Sequence, residues 1–118
     1  MGVIRIDVVL EGKTRKLPAK ALVDTGASLS VIPRSIAQRL DLVPFKSYSV
    51  ELADGRIRKL PVATAGIRVN GRSAPASVLI APKGEVLLGA ETMELLGITV
   101  DPRHRRLKLA RRFVIKAA

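Results

Sequence analysis

Short stretches of aliphatic residues, separated by polar turns, make up most of this chain. Alternating apolar and polar positions predict β-strands over residues 3–10, 17–24, 29–32, 48–52, 57–62, 65–69, 76–81, 86–88, 98–100 and 107–109. Polar turns separate several of these strands: Glu11-Gly12-Lys13, Ala53-Asp54-Gly55-Arg56 and Asn70-Gly71-Arg72. Asp-Gly between two strand-like segments is a strong hairpin signal. The pattern predicts a mainly β protein.

Two segments have helical spacing instead. Pro33 is suited to the first turn of a helix, after which three apolar residues fall on one face: Ile36, Ala37 and Leu40. A second short helix is predicted over residues 91–96, ending at Gly97. Each helix follows a strand and a glycine, at Gly26 and at Gly89. This repeated strand–glycine–helix unit suggests a pseudo-symmetric lobe.

Composition narrows the function classes. With 118 residues, of which 47% are hydrophobic, the chain is predicted to form one folded domain spanning residues 1–118. It has no cysteine and one histidine, so we expect no disulfide, no metal site and no cofactor. No apolar stretch approaches the length of a membrane span. A cytoplasmic protein without membrane partners is the expectation.

The charge is strongly positive, at +11, and seven of the 21 basic residues fall in the last eighteen positions. A basic chain can bind nucleic acid or acidic proteins. However, the aromatic residues are too few for an obvious base-stacking platform: Phe45, Tyr48 and Phe113. A solvated basic edge is therefore favoured over a nucleic-acid site, which stays possible and would involve Arg105, Arg106 and Lys108.

The segment from Asp24 to Ser28 carries the most distinctive candidate chemistry. The predicted buried strand ends at Asp24, and Thr25, Gly26, Ala27 and Ser28 follow. Gly26 allows a tight turn, and the small residues beside it permit close approach of another backbone. Asp before Gly is most often an ordinary turn residue. The rest of the chain must therefore distinguish a catalytic carboxylate from a turn.

The ordered set of motifs resembles the retropepsin-like aspartic proteases, the single-lobe, homodimeric relatives of retroviral proteases. The matching pieces follow the family order: Leu22-Val23-Asp24-Thr25-Gly26-Ala27-Ser28, the Asp54-Gly55 hairpin, Val86-Leu87-Leu88-Gly89 and the helix Glu91-Thr92-Met93-Glu94-Leu95-Leu96-Gly97. The segment 31–40 is more similar to the cellular and prokaryotic branch than to the viral one. The resemblance implies a closed acid-protease-type β-barrel with one or two short helices.

Two positions depart from the viral pattern. Ser28 stands where many viral members have an acidic residue, and Ala90 stands where they have arginine. In the viral enzymes these positions form an ion pair. Because both the acid and the arginine are absent here, no buried charge is left without its counter-ion. The hairpin tip is also poorer in glycine than a viral flap, with only Gly55 near it.

The resemblance also implies a mechanism and a set of site residues. Hydrolysis of a peptide bond by water needs two carboxyls in contact, one charged and one neutral, and this chain offers one Asp in such a loop. A homodimer would bring Asp24 of each subunit to the twofold axis. Thr25 would brace the loops, Gly26 and Ala27 would contact substrate, and the flap would be the hairpin around Ala53, Asp54 and Gly55. Val31 and Leu87 would line apolar substrate pockets.

Three other interpretations stay open. A basic module that binds nucleic acid or an acidic partner would leave Asp24 structural, and an inactive dimerisation module could use the same fold. A nucleophilic pair of Ser28 and His104 is conceivable, but no carboxylate or oxyanion loop in the sequence supports it. We therefore expect His104 to be a solvated surface residue. The predicted function is that of an aspartic endopeptidase that prefers apolar residues at its cleavage site.

Overall fold

The computed structural model describes residues 3–104 and 106–109, which form nine strands and two helices. The strands are β1 (Arg5–Glu11), β2 (Lys16–Val23), β3 (Ser30–Pro33), β4 (Lys46–Glu51), β5 (Ile57–Val69), β6 (Arg72–Ala81), β7 (Val86–Leu88), β8 (Ile98–Asp101) and β9 (Arg106–Leu109). The helices are α1 (Arg34–Arg39) and α2 (Ala90–Leu96). Arg105 and residues 110–118 of the basic C-terminus lie outside the described residues. So do Met1 and Gly2.

Six of the strands close into a barrel, as predicted. Their order is β1-β2-β7-β3-β6-β5, and pairing of β1 with β5 completes the ring. β4 continues the sheet beyond β5, while β8 and β9 form a separate antiparallel pair. Both helices are short, and neither they nor any other described segment forms a helix able to cross a bilayer.

The structure joins two predicted strands into one. Residues 57–62 and 65–69 were expected to be separate, but β5 runs unbroken through Ala63 and Thr64. No glycine or proline interrupts it there, and the strand changes partners instead. Its first half pairs with β4 and its second half with β6 and β1. β5 therefore connects the barrel to the β4–β5 hairpin.

The start of α1 also differs from the prediction. Pro33 keeps an extended backbone (φ −67°, ψ 150°), so it ends β3 and the helix begins one residue later. The predicted apolar face is confirmed, since Ala37 and Leu40 are buried and Ile36 packs against the core. α2 ends at Gly97 as predicted, and that glycine adopts a left-handed backbone (φ 65°).

Apolar side chains form two clusters. The larger one fills the barrel and includes Leu10, Ile32, Ile67, Leu88 and Leu96, all essentially inaccessible to solvent. The smaller one lies between the barrel and the hairpin. It consists of Leu60, Val62 and Leu79, with Leu29, Val31 and Val50 packed against them. The smaller cluster joins the hairpin to the loop that follows β2.

Candidate active site

Asp24 lies directly after β2, where that strand runs parallel to β7. The Asp24 backbone N–H donates to the Leu88 carbonyl over 3.0 Å, extending the ladder by one residue. The Ala27 N–H then donates to the Asp24 carbonyl over 3.2 Å, which closes a tight turn. The main chain of Asp24 is therefore held on both sides.

Asp24 is half-buried as a residue, and its carboxylate accepts one hydrogen bond from its own loop. The Gly26 N–H donates to Oδ1 over 3.0 Å. Within the described part of the chain, Oδ2 has no hydrogen-bond partner. Thr25 and Ser28 beside it are exposed. One carboxylate oxygen is thus fixed in place while the other is available to a ligand.

Backbone hydrogen bonds connect this loop to the beginning of α2. The Ala90 N–H donates to the Ala27 carbonyl over 2.8 Å, and the Glu91 N–H donates to the Ser28 carbonyl over 3.0 Å. Residues 28 and 90, at which the sequence departs from the viral pattern, therefore lie at the same junction. Main-chain hydrogen bonds hold this junction without an ion pair between the two side chains.

A buried hydroxyl pair supports the loop, and the sequence analysis missed it. Ser30 Oγ lies 2.6 Å from Thr92 Oγ1 and accepts a hydrogen bond from the Gly89 N–H over 3.0 Å. Both side chains are 1% exposed. A serine within an apolar strand was the available signal, but its partner comes from a helix 62 positions along the chain. Only the folded chain brings the two together.

The close approach of β7 to the loop requires glycine at position 89. A Cβ placed on Gly89 would lie 2.5 Å from the Leu29 carbonyl carbon and oxygen, which belong to the main chain. The backbone there is extended (φ −92°, ψ 173°), so space rather than backbone conformation demands glycine. The two strand–glycine–helix units predicted at Gly26 and Gly89 therefore lie in direct contact.

We expect Ser30→Ala to destabilise the protein by about 2–4 kcal/mol. The change leaves the Gly89 N–H and the Thr92 hydroxyl buried without a partner, at about 1–3 kcal/mol for each group. Urea unfolding monitored by circular dichroism measures the loss. Ser73→Ala, on an exposed position of β6, is the matched control and should change the free energy of unfolding by less than about 0.5 kcal/mol. Equal stability of the two variants would contradict a supporting role for the hydroxyl pair.

The predicted Asp54-Gly55 hairpin is present between β4 and β5. The Leu52 N–H donates to the Arg56 carbonyl over 2.7 Å, and Gly55 adopts φ +86°, which favours glycine. The Asp54 carboxylate binds the Arg56 N–H at 3.0 Å and its Nε at 2.7 Å. Ala53, Asp54 and Gly55 form the exposed tip. The tip is therefore locally ordered by its own side chains.

A cleft of about 540 Å³ separates the hairpin from the loop after β2. Its lining comes from both sides: Gly26, Ala27, Ser28, Leu29, Val31, Tyr48, Ser49, Val50, Glu51 and Leu79. Of the predicted site residues, the structure brings four to this cleft, namely Gly26, Ala27, Ser28 and Val31. The apolar part of the cleft wall comes from the smaller core cluster, through Leu29, Val31, Val50 and Leu79.

The other predicted site residues lie beside the cleft or away from its lining. Asp24 and Thr25 precede the lining residues of the loop, and residues 53–55 extend past the cleft at the hairpin tip. Leu87 is half-buried and pairs in register with Val31 and Leu22. Its neighbour Val31 supplies apolar surface to the cleft instead. Tyr48, Val50 and Leu79 line the cleft but were absent from the sequence-based set.

A second depression, of about 620 Å³, lies over β1 and β2. Its charged groups are already paired, since Lys20 Nζ lies 2.8 Å from Asp7 Oδ1 and Arg68 Nε lies 3.3 Å from Glu11 Oε1. The described residues contain no cluster of acidic or histidine side chains suited to a metal ion. The cleft next to Asp24 is the better candidate for chemistry.

His104 lies at the other end of the described chain, in the turn between β8 and β9. Its Nδ1 is 2.8 Å from Asp101 Oδ2, and the hydrogen bond with His104 lowers the pKa of the Asp101 carboxyl. The hydrogen bonds of the described residues include none between Ser28 and His104. The nucleophilic pair considered from the sequence therefore has no structural support, and the exposed position of His104 agrees with a surface role.

Comparison with known proteins identifies the class. The family model described as aspartyl protease matches residues 6–100, and the chain therefore belongs to the aspartyl protease family. No curated protein matches the chain significantly by sequence.

Solved structures of retroviral type share the fold. EIAV protease complexed with the inhibitor HBY-793 is 22% identical, with a TM-score of 0.66 over 81% of this chain and 89% of that one. The simian foamy virus (mac) protease is 25% identical, with a TM-score of 0.55 over 77% and 94% of the two chains. The retroviral protease-like domain of Ddi1 from Leishmania major is 17% identical, with a TM-score of 0.58 over 94% and 92%. The chain is a retropepsin-like aspartic protease by family and by fold.

Proposed function

We propose that this protein is an aspartic endopeptidase that works as a homodimer, with Asp24 of each subunit forming one catalytic pair. The observation that carries the proposal is the position of Asp24. Its main chain is held by Leu88 and Ala27, its Oδ2 has no hydrogen-bond partner within the described residues, and the cleft begins two residues further on. Membership of the aspartyl protease family supports the same conclusion.

The reaction needs one ionised and one neutral carboxyl. The ionised carboxylate takes a proton from water while the water oxygen attacks the peptide carbonyl carbon, and the neutral carboxyl protonates the carbonyl oxygen. The tetrahedral intermediate then gives a hydroxyl proton to the ionised carboxylate while the neutral carboxyl protonates the amide nitrogen, and the C–N bond breaks. A carboxylic acid and an amine result, and the pair again holds one proton.

A single subunit supplies only half of this arrangement. Six of the nine described acids other than Asp24 have an ion-pair partner of their own, and the exceptions are Glu51, Glu91 and Glu94. Asp7, Asp41 and Asp54, for example, form ion pairs with Lys20, Arg15 and Arg56. Twofold symmetry supplies the second carboxyl, because an isologous interface places the same residue on both sides of its axis. Thr25 is proposed to brace the two loops across that axis.

The hairpin and the cleft define the proposed substrate. Residues 53–55 would act as a flap that closes over an extended peptide, excludes water and adds strand-like hydrogen bonds. Gly26 and Ala27 leave room for the substrate main chain. Val31 and Leu87 are proposed to contact the residues beside the cleaved bond, which favours apolar side chains there.

Activity should have a bell-shaped pH profile with its maximum at mildly acidic pH. Two carboxyls in contact must share one proton, so the rate falls when both are protonated and when both are ionised. The net charge of +11 favours ionised carboxylates and should place the maximum lower at low salt than at high salt. Cleavage of a peptide library by the purified protein, measured as kcat/KM from pH 3 to pH 9, tests the proposal. A rate that rises steadily into the alkaline range would exclude it.

A further inference from the structure

The β4–β5 hairpin has one face that packs on the smaller apolar cluster and one that does not. Val50 and Leu60 belong to the apolar cluster under the hairpin, so their face is the inner one. Side chains alternate along a strand, and residues paired across two strands share a face. Because Val50 pairs with Arg58 and Tyr48 pairs with Leu60, Arg58 belongs to the inner face together with Tyr48.

Lys46 lies on the same inner face, two residues further from the hairpin tip than Tyr48. It pairs with the fully buried Val62. Its Nζ lies 4.5 Å from the centre of the Tyr48 ring and 5.6 Å from the centre of the Phe45 ring. Cations are attracted to aromatic faces at such distances. Tyr48 lines the cleft, so this contact places the ammonium beside a cleft residue, although Lys46 is not itself part of the lining.

These two cations have no acidic partner among the described residues, which is also true of most other described basic residues, and what distinguishes them is their place on the inner face of the hairpin. Arg5, Arg15, Lys20, Arg56 and Arg68 each form an ion pair. Within residues 3–104 and 106–109, no ion pair joins Lys46 or Arg58 to a carboxylate. Both are exposed. A carboxylate from outside the chain could therefore bind either cation without displacing an existing partner.

The acid of β4, Glu51, is assigned to the opposite face. Glu51 pairs with Ile57, and Ser49 pairs with Lys59, so alternation places these residues on the outer side of the hairpin. Glu51 nevertheless contributes to the cleft lining. As an acid in the lining, Glu51 would favour a basic substrate, the opposite preference to that of Lys46 and Arg58.

We propose that Lys46 and Arg58 make the cleft selective for peptides that carry acidic side chains beside an apolar cleavage site. This inference rests on the proposed endopeptidase function. Lys46 is four residues from Val50, a separation of about 13 Å along a strand. An extended substrate has the same repeat. A side chain four positions from the one that contacts Val50 would therefore reach Lys46, while Arg58 would contact an acid closer to the cleaved bond.

The test compares pairs of peptides that share an apolar cleavage site. The two peptides of a pair differ at one position only, which is Glu in one and Gln in the other. In successive pairs this position lies further from the cleavage site. We expect wild type to cleave the Glu peptide two- to fivefold faster in kcat/KM at each preferred position, as for an exposed ion pair. High salt should reduce the ratio. Lys46→Gln and Arg58→Gln should each remove the preference at one position.

Lys59→Gln is the matched control, since it removes one exposed positive charge from the outer face of the same hairpin. It should keep the wild-type ratio, which distinguishes a local contact from the general effect of net charge. Lys46→Glu should reverse the preference toward a Lys peptide at the outer position. The inference would be overturned if wild type cleaved Glu and Gln peptides at equal rates, or if Lys59→Gln lowered the ratio as much as Lys46→Gln or Arg58→Gln. The proposed endopeptidase function would be unaffected by either result. If wild type preferred Lys peptides, the inference would also be overturned, and Glu51 would be the residue that selects the substrate. Failure to cleave any peptide would overturn the proposed function together with it.

Discussion

Replacing Asp24 by asparagine is expected to lower peptide hydrolysis by at least about a thousandfold without unfolding the protein. The amide can neither accept the proton of water nor donate one to the substrate, and the homodimer loses both carboxyls at once. Loss of acid–base catalysis alone accounts for factors of about 10² to 10⁴, and residues acting as one unit can cost more. A thousandfold loss corresponds to about 4 kcal/mol of transition-state stabilisation.

The fold should tolerate this change because asparagine keeps the contact that Asp24 makes inside its loop. The amide oxygen can still accept the Gly26 N–H that now binds Oδ1. We expect the free energy of unfolding to change by less than about 1 kcal/mol. Kinetics on one peptide substrate and urea unfolding of the same preparation measure the two effects separately.

Asp41→Asn is the matched control for charge and size. Asp41 is an exposed acid with a left-handed backbone (φ 53°), a conformation that asparagine adopts readily, and its ion pair with Arg15 is solvent-exposed. This variant should keep wild-type activity. Near-wild-type activity of Asp24→Asn would exclude Asp24 as the catalyst.

Activity should also depend on the association of two subunits. Each subunit supplies one Asp24, so specific activity is expected to fall on dilution below the dimer dissociation constant. A threefold excess of Asp24→Asn should lower the activity of a fixed amount of wild type about fourfold, if subunits mix at random and mixed dimers are inactive. Kinetics after incubation long enough for subunit exchange, with the oligomeric state measured in parallel, tests this expectation.

The control for the mixing experiment is the same excess of Asp41→Asn, which should add activity. This comparison separates poisoning by mixed dimers from crowding or competition for substrate. A monomer with full activity at every concentration would rule out the shared pair of carboxyls. Asp24→Asn that is inactive alone but harmless in the mixture would point to a site contained within one subunit, provided that exchange is demonstrated.

The positions of the strands were largely readable from the sequence because they depend on local pattern. Alternation located the strands, and Asp54-Gly55 and Asn70-Gly71 marked two of the turns between them. The errors occurred where tertiary contacts decide. β5 continues through Ala63 and Thr64 because it exchanges β4 for β6 as its partner, and neither partner is visible in a local window.

The site was predictable only in part for the same reason. The small residues after Asp24 indicated a tight loop, and the structure confirms one. The Ser30–Thr92 hydroxyl pair was missed, since its members are far apart in the chain and neither is unusual alone. Tyr48 and Val50 were missed as cleft residues because a strand pattern does not specify what its inner face will meet.

The sequence by itself determined the class of fold, and it singled out Asp24 as the carboxylate proposed here to be catalytic. Alternation, turn residues and the segment 22–28 are local properties, so they can be read before folding. The tertiary structure decided how β1 closes the barrel on β5, how Gly89 meets the main chain of Leu29, and which residues of β4 line the cleft. Those features depend on strand register, because register decides which distant residues share a face and how closely two backbones approach.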